Sequence, residues 1–312
     1  MGLRLAGRGA RRDRLRALHG PALQEAALLS ARAENLTGPI AQHGEGPVYS
    51  PTWGGLRIVD LSAGELVTLT DEGVRRLSVG SPIAGFVRPR VGGGYIVATE
   101  RGIALSTDPH GEPTERRELW SDASVRMNDG GTDPFGRLYA GSMSYTEQPG
   151  AGRLYRIDTD LSVTEVLSSA TISNGIAFSP DGSLCYYVDT TTQRVDVFDH
   201  VDGELTNRRP FVSIPDEHGS PDGLTVAADG SVWVAFWMGR AVRAYSPSGE
   251  PVDVIDVDAD RVTACTFGGE DLGTLYITTS RQGLSEGEDP AAGSVFVAQP
   301  GVRGLPVVPF AG

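Results

Sequence analysis

At 312 residues with 39% apolar side chains, the chain has the material for one large domain or two ordinary ones, and no run approaches the roughly 18 apolar residues of a membrane span. The net charge of −13 argues against binding to a phosphate backbone. All 27 basic residues are arginine, which removes Schiff-base and Walker-type lysine chemistry.

The charge is uneven. Residues 1–43 carry seven Arg against three acids, and the remainder carries 20 Arg against 37 acids. The tract lacks the apolar core of a secretory signal and the serine richness of a transit peptide. Residues 1–34 therefore read as a flexible extension with a short helix over 21–33, and 35–312 as the folded domain. Asn35-Leu36-Thr37 matches a glycosylation sequon, which carries no meaning without a secretion signal. Cys185 and Cys265 both lie in apolar strand-like runs and read as buried, reduced thiols in a reducing compartment, so a cytoplasmic location is expected.

From residue 44 onward the signal is a repeat. Turn glycines followed at once by strand-like runs stand at Gly55, Gly94, Gly136, Gly182, Gly230 and Gly273, 39 to 48 residues apart. A four-stranded propeller blade takes about 40–50 residues, and Gly 41 with Pro 20 suits many short strands joined by turns. The expected fold is all-β, a six-bladed β-propeller, closed by a strand from about 35–42 or from the final VVPF run.

Counting back eight residues from the turn glycine reaches Asn128, Asn174, Asp222 and Cys265 in the last four units, and Glu45 stands ten before Gly55. The second unit offers only Phe86 or Gly85. Each Asn-Gly or Asp-Gly pair taken alone is an ordinary turn sequence. The shared offset points elsewhere, because equivalent positions of a propeller form a ring at one height around its channel. A ring of Glu, Asn, Asn and Asp offers oxygen ligands suited to a hard cation such as calcium, magnesium or manganese. His43 and His218 flank ligand segments and read as surface histidines; Asp129 reads as a turn residue. GLSEG (283–287) matches the G-x-S-x-G nucleophile pattern but precedes an acidic loop instead of a helix, so it reads as a chance match.

The segments GEGPVY (44–49), RMNDGGTDPFGRLYAGSM (126–143), ISNGIAFSPDG (172–182), SPDGLTVAADGSVWVAF (220–236), TFGGEDLGTLYITTS (266–280) and the terminal PFAG together resemble the gluconolactonase, regucalcin (senescence marker protein) and luciferin-regenerating-enzyme family. The resemblance implies one divalent cation, calcium foremost with zinc, magnesium, manganese or iron as alternatives, held by Glu45, Asn174 and Asp222. It places Arg126 and Asn128 on the substrate, a small-molecule sugar-acid lactone, with no nucleic-acid or membrane partner. Asp222 is expected to serve as general base as well as ligand. Animal members carry paired acids shortly after the G-x-M element. Here Ser144, Tyr145 and Thr146 follow Met143, and Glu147 comes one place later than the second acid. That change keeps aryl-ester or phosphotriester hydrolysis as an alternative, beside a non-catalytic calcium-binding propeller.

Overall fold

The computed structural model describes residues 31–312. The bulk of the arginine-rich tract, and with it most of the helix expected over 21–33, lies outside the described residues. At its described end that expectation is corrected: Ala31–Arg32 is a short strand, paired in parallel with Ile255–Asp256, and Ala33 is buried against the same blade.

Six sheets follow the six sequence units. The first blade comprises Gly44–Ser50, Gly55–Asp60, Glu65–Thr70 and Gly73–Ser78. The third, fourth and fifth begin with Val125–Thr132, Ser173–Phe178 and Ser220–Val226, and each runs antiparallel from its first strand outward. Residue type follows radius. First strands are almost wholly buried, whereas the outermost strands of blades one and two, GVRRLS and ERRE, are nearly all exposed and each carries a pair of arginines. The turn glycines lie between first and second strands, where Gly136, Gly182 and Gly230 take φ of 78°, 72° and 85°, backbone that an L side chain disfavours.

Both ends of the chain fasten the ring. Glu34–Pro39 supplies the outer strand of the sixth blade, antiparallel to Ser294–Ala298, with Asn35 Nδ2 donating to Ser294 Oγ at 3.2 Å. The closing strand therefore comes from the first of the two expected places. The VVPF run instead passes under the channel: Leu305–Pro309 lines its lower opening, and buried Phe310 donates its N–H to Pro89 O at 2.8 Å. Apolar side chains fill the wedges between blades, as where Trp233 meets Phe267 edge to face at 5.7 Å. Among the described residues no helix is long and apolar enough to cross a membrane. Ser285 of the GLSEG segment sits in an irregular loop between Thr274–Thr279 and Ser294–Ala298, with no helix after it.

Candidate active site

The polar-Gly pairs are not turns. Asn174-Gly175 and Asp222-Gly223 lie inside first strands, and in three blades the ladder skips two residues at this level: Asn128 and Asp129, Asn174 and Gly175, Asp222 and Gly223. Such a bulge re-aims a side chain that regular pleating would send between the sheets. In the first blade the skipped pair is Gly46 and Pro47, with Glu45 the last paired residue before it. The glycines allow adjacent first strands to touch: a Cβ on Gly175 would lie 2.7 Å from Asp222 O, and one on Gly223 only 2.5 Å from the Ala264 Cβ. The polar side chain thus faces the channel while its glycine packs against the next blade.

Two aspartates fix the approach to this level. Asp60 accepts from the N–H groups of Gln42 (2.9 Å) and His43 (3.0 Å), just before Glu45. Asp189 accepts from those of Thr171 and Ile172, both at 3.0 Å, just before Asn174.

Glu45, Arg126, Asn128, Asn174 and Asp222 converge on one cleft of about 490 Å³ at the upper mouth, and all five are buried. Asn174 Nδ2 donates to Thr190 Oγ1 at 3.0 Å, which turns its Oδ1 away; that oxygen is buried with no partner. Asp222 Oδ1 is likewise buried and unpartnered. Asn128 differs: its Oδ1 accepts from Arg126 Nη1 at 2.8 Å and its Nδ2 donates to Ser173 O at 3.0 Å. Its amide is committed to holding the guanidinium, which also donates to Met127 O at 2.8 Å. Glu147 lines the same cleft, on a left-handed turn residue (φ 53°).

The electrostatics ask for positive charge. Burial raises the Glu45 carboxyl well above the ordinary value, and the nearby charges of Asp222 and Asp129 push it further. Asp222 is raised well above its ordinary value by burial and by Asp129, partly offset by hydrogen bonds from Asn174 and the Gly223 N–H. His43 is buried, with its Nδ1 2.7 Å from Ser280 Oγ and its Nε2 3.9 Å from Glu45 Oε1. Burial and the Arg126 charge lower its pKa to about 3, so the ring is neutral. Among the described residues no group of three His, Cys, Asp or Glu side chains is placed to hold a metal. A cation here would rest on the two carboxylates of Glu45 and Asp222 and the amide oxygen of Asn174. The two unpartnered oxygens and the strained carboxyl pair fit such an ion, since a buried acceptor without a donor is costly.

The SMP-30/gluconolactonase/LRE-like region matches residues 43–281, from just before Glu45 to just before Gln282. The chain belongs to this family. It is 31% identical to regucalcin of Sus scrofa over 284 residues, covering 86% of this chain and 95% of that one. It is 32% identical over 286 residues, with the same coverages, to YvrE of Bacillus subtilis, a protein provisionally named a sugar lactone lactonase. Among solved structures, a luciferin-regenerating enzyme superposes with a TM-score of 0.81 at 27% identity, covering 89% of this chain and 99% of that one. A regucalcin of Agrobacterium tumefaciens described as calcium-binding gives 0.83 at 26% identity, covering 90% and 99%.

Within this family member, three sequence readings need correction. Cys265 is not a ring position: the sixth-blade ladder skips Thr263 instead, and Cys265 pairs with Ile277 and packs among apolar side chains, a free buried thiol like Cys185. His43 is a cleft residue and not a surface one. Asp129 is no turn residue; it lies buried in the third-blade bulge and lines a lower cavity of about 460 Å³, where burial raises its carboxyl above the ordinary value and the Arg88 charge offsets only part of the rise. Trp237 was missed altogether. It lines the cleft, with the His43 ring 6.0 Å away and the Arg261 guanidinium 5.5 Å from its own centroid. No short-range pattern marks these residues; only Asp129, adjoining Asn128 in a double-length bulge, had a signal in its neighbour.

Proposed function

We propose that the protein is a divalent-metal-dependent lactonase that opens the ring of a sugar-acid lactone. The observation that carries this reading is the pair of buried, unpartnered oxygens on Asn174 and Asp222, set beside Glu45 in a cleft that also holds a fixed arginine. The family match and the lactonase and calcium-binding descriptions of relatives support it. Glu45, Asn174 and Asp222 hold the cation, with calcium the first choice because all donors are hard oxygens. When bound, a divalent cation supplies Lewis acidity and a template for carbonyl and water.

The rest of the chemistry falls to side chains of this chain. Lactone hydrolysis adds water to the ring carbonyl carbon, breaks the ring C–O bond and gives the leaving oxygen a proton. Asp222 has a second carboxylate oxygen with which to take the proton of the attacking water and return it to that leaving oxygen. Arg126 is held at both Met127 O and Asn128 Oδ1, so its remaining N–H groups are fixed in direction before substrate arrives. They serve the carbonyl oxygen or a ring hydroxyl, where positive charge stabilises developing negative charge. Burial of the whole set keeps these interactions strong.

The test is a pH-stat screen of metal-stripped protein, resupplied with single divalent ions, against aldonolactones and aryl esters. Ion-dependent acid release from an aldonolactone is the expected result. Acid release from aryl esters alone would move the substrate class. Stoichiometric ion binding with no turnover on either panel would make the site a staple of the ring.

A further inference from the structure

We infer that Gln193 is a specificity-determining residue of this cleft, its amide oxygen accepting a hydrogen bond from a substrate hydroxyl; this deepens the lactonase reading and rests on it. Three observations meet at one side chain. The first is conformational. The first and fourth blades carry the same short turn after their second strands: Leu61–Ala63 follows Asp60, and Thr190–Thr192 follows Asp189. Each ends on a left-handed residue. In the first blade this is Gly64, at φ 65° and ψ 40°; in the fourth it is Gln193, at φ 49° and ψ 44°. A glutamine there bears a steric cost that the first blade avoids, and such a cost points to a use for the side chain.

The second observation is the direction of the amide. Gln193 Nε2 lies 3.2 Å from Gly219 O and 3.5 Å from Asp216 Oδ1. Both are acceptors, so the nitrogen belongs on that side and the oxygen must point the other way. The third is what the oxygen meets: Oε1 is buried without a partner, and the residue lines the cleft. Gln193 stands on the wall toward the fifth blade, apart from the third-blade Arg126, Asn128 and Glu147.

An acceptor of this kind discriminates. A substrate hydroxyl satisfies it, whereas a ring carrying only CH₂ at that point leaves a buried carbonyl oxygen unpaired. The substrate class is therefore a lactone with hydroxyls on the side away from Arg126, selected over unsubstituted rings of the same size.

The test compares wild type with Gln193→Gly on glucono-1,5-lactone and δ-valerolactone, and titrates both proteins calorimetrically with sorbitol, a polyol that cannot be hydrolysed. Gly relieves the left-handed backbone, so the variant should melt no lower than wild type. The expected result is a fall of about tenfold in the ratio of kcat/KM for the hydroxylated over the unsubstituted lactone, and weaker sorbitol binding by a similar factor, the scale of one neutral hydrogen bond. An unchanged ratio with unchanged sorbitol affinity overturns the inference, as does an equal loss on both lactones. If wild type hydrolyses neither lactone, the lactonase reading is decided by the wider aldonolactone panel, and the inference by whether sorbitol affinity depends on Gln193.

Discussion

The two carboxylate oxygens of Asp222 carry separate duties in the proposed site, one toward a cation and one toward a water proton. Asp222→Asn separates them, because an amide keeps an oxygen ligand but loses nearly all basicity. We expect turnover to fall about 10²–10⁴-fold, the usual contribution of a positioned base, while calorimetry still finds one divalent ion bound. Asp222→Ala should lose both. Near-normal turnover in the Asn variant would place the base elsewhere. At this scale the sequence was informative where chemistry and pattern coincide. Glu45, Asn128, Asn174 and Asp222 are polar residues at a nearly constant distance from a turn glycine, and all four reach the cleft. His43, Asp129 and Gln193 were not legible, because bulge length, turn dihedrals and burial decide where they point. The eight-residue count failed at Cys265 for the same reason: one residue is skipped in that blade where four others skip two.

At the scale of the strand, the bulged first strands owe their placement to the aspartates that receive them. The two carboxylates close the same turn geometry in blades one and four, each taking two backbone N–H groups within three residues of a proposed ligand. Asp189→Ala strands the N–H groups of Thr171 and Ile172, a loss of about 1–3 kcal/mol for each group that finds no other partner. Thermal denaturation should show the loss. The same variant should also bind a divalent ion more weakly, because Asn174 lies two residues past the freed N–H of Ile172. A lowered melting temperature with unchanged ion affinity would reduce Asp189 to a fastener of its own blade. The repeat itself was readable in the spacing of glycines. The bulges were not, since a ladder that skips two residues leaves no mark in composition.

At the scale of the molecule, the ring begins before the residue 35 boundary drawn from charge. Ala31–Arg32 adds a fifth strand to the fifth blade, and Ala33 is buried. We propose that a chain starting at residue 31 melts as the full chain does and keeps its ion-dependent activity. A start at Glu34 should melt lower, because it exposes the apolar surface that Ala33 covers. Equal melting of the two truncations would show that the short parallel strand adds nothing, and loss of activity in the longer one would give the arginine-rich tract a part in the cleft.

The sixth blade, finally, joins Glu34–Pro39, among the earliest strands to leave the ribosome, with Ser294–Ala298, the last. Asn35 waits for Ser294, a partner 259 positions later in the chain. Contacts that distant are slow to form, and until they do the array ends in two uncovered blade faces instead of a closed ring. A solenoid tolerates premature termination, since every finished repeat already rests on its neighbour. Here an interrupted translation product has five complete blades and a bare flank of apolar side chains and unpaired backbone. The release of a full-length chain is what removes that adhesive flank, so nonsense mutations even a few residues before the Ser294–Ala298 strand should yield insoluble protein in place of a slightly shorter enzyme.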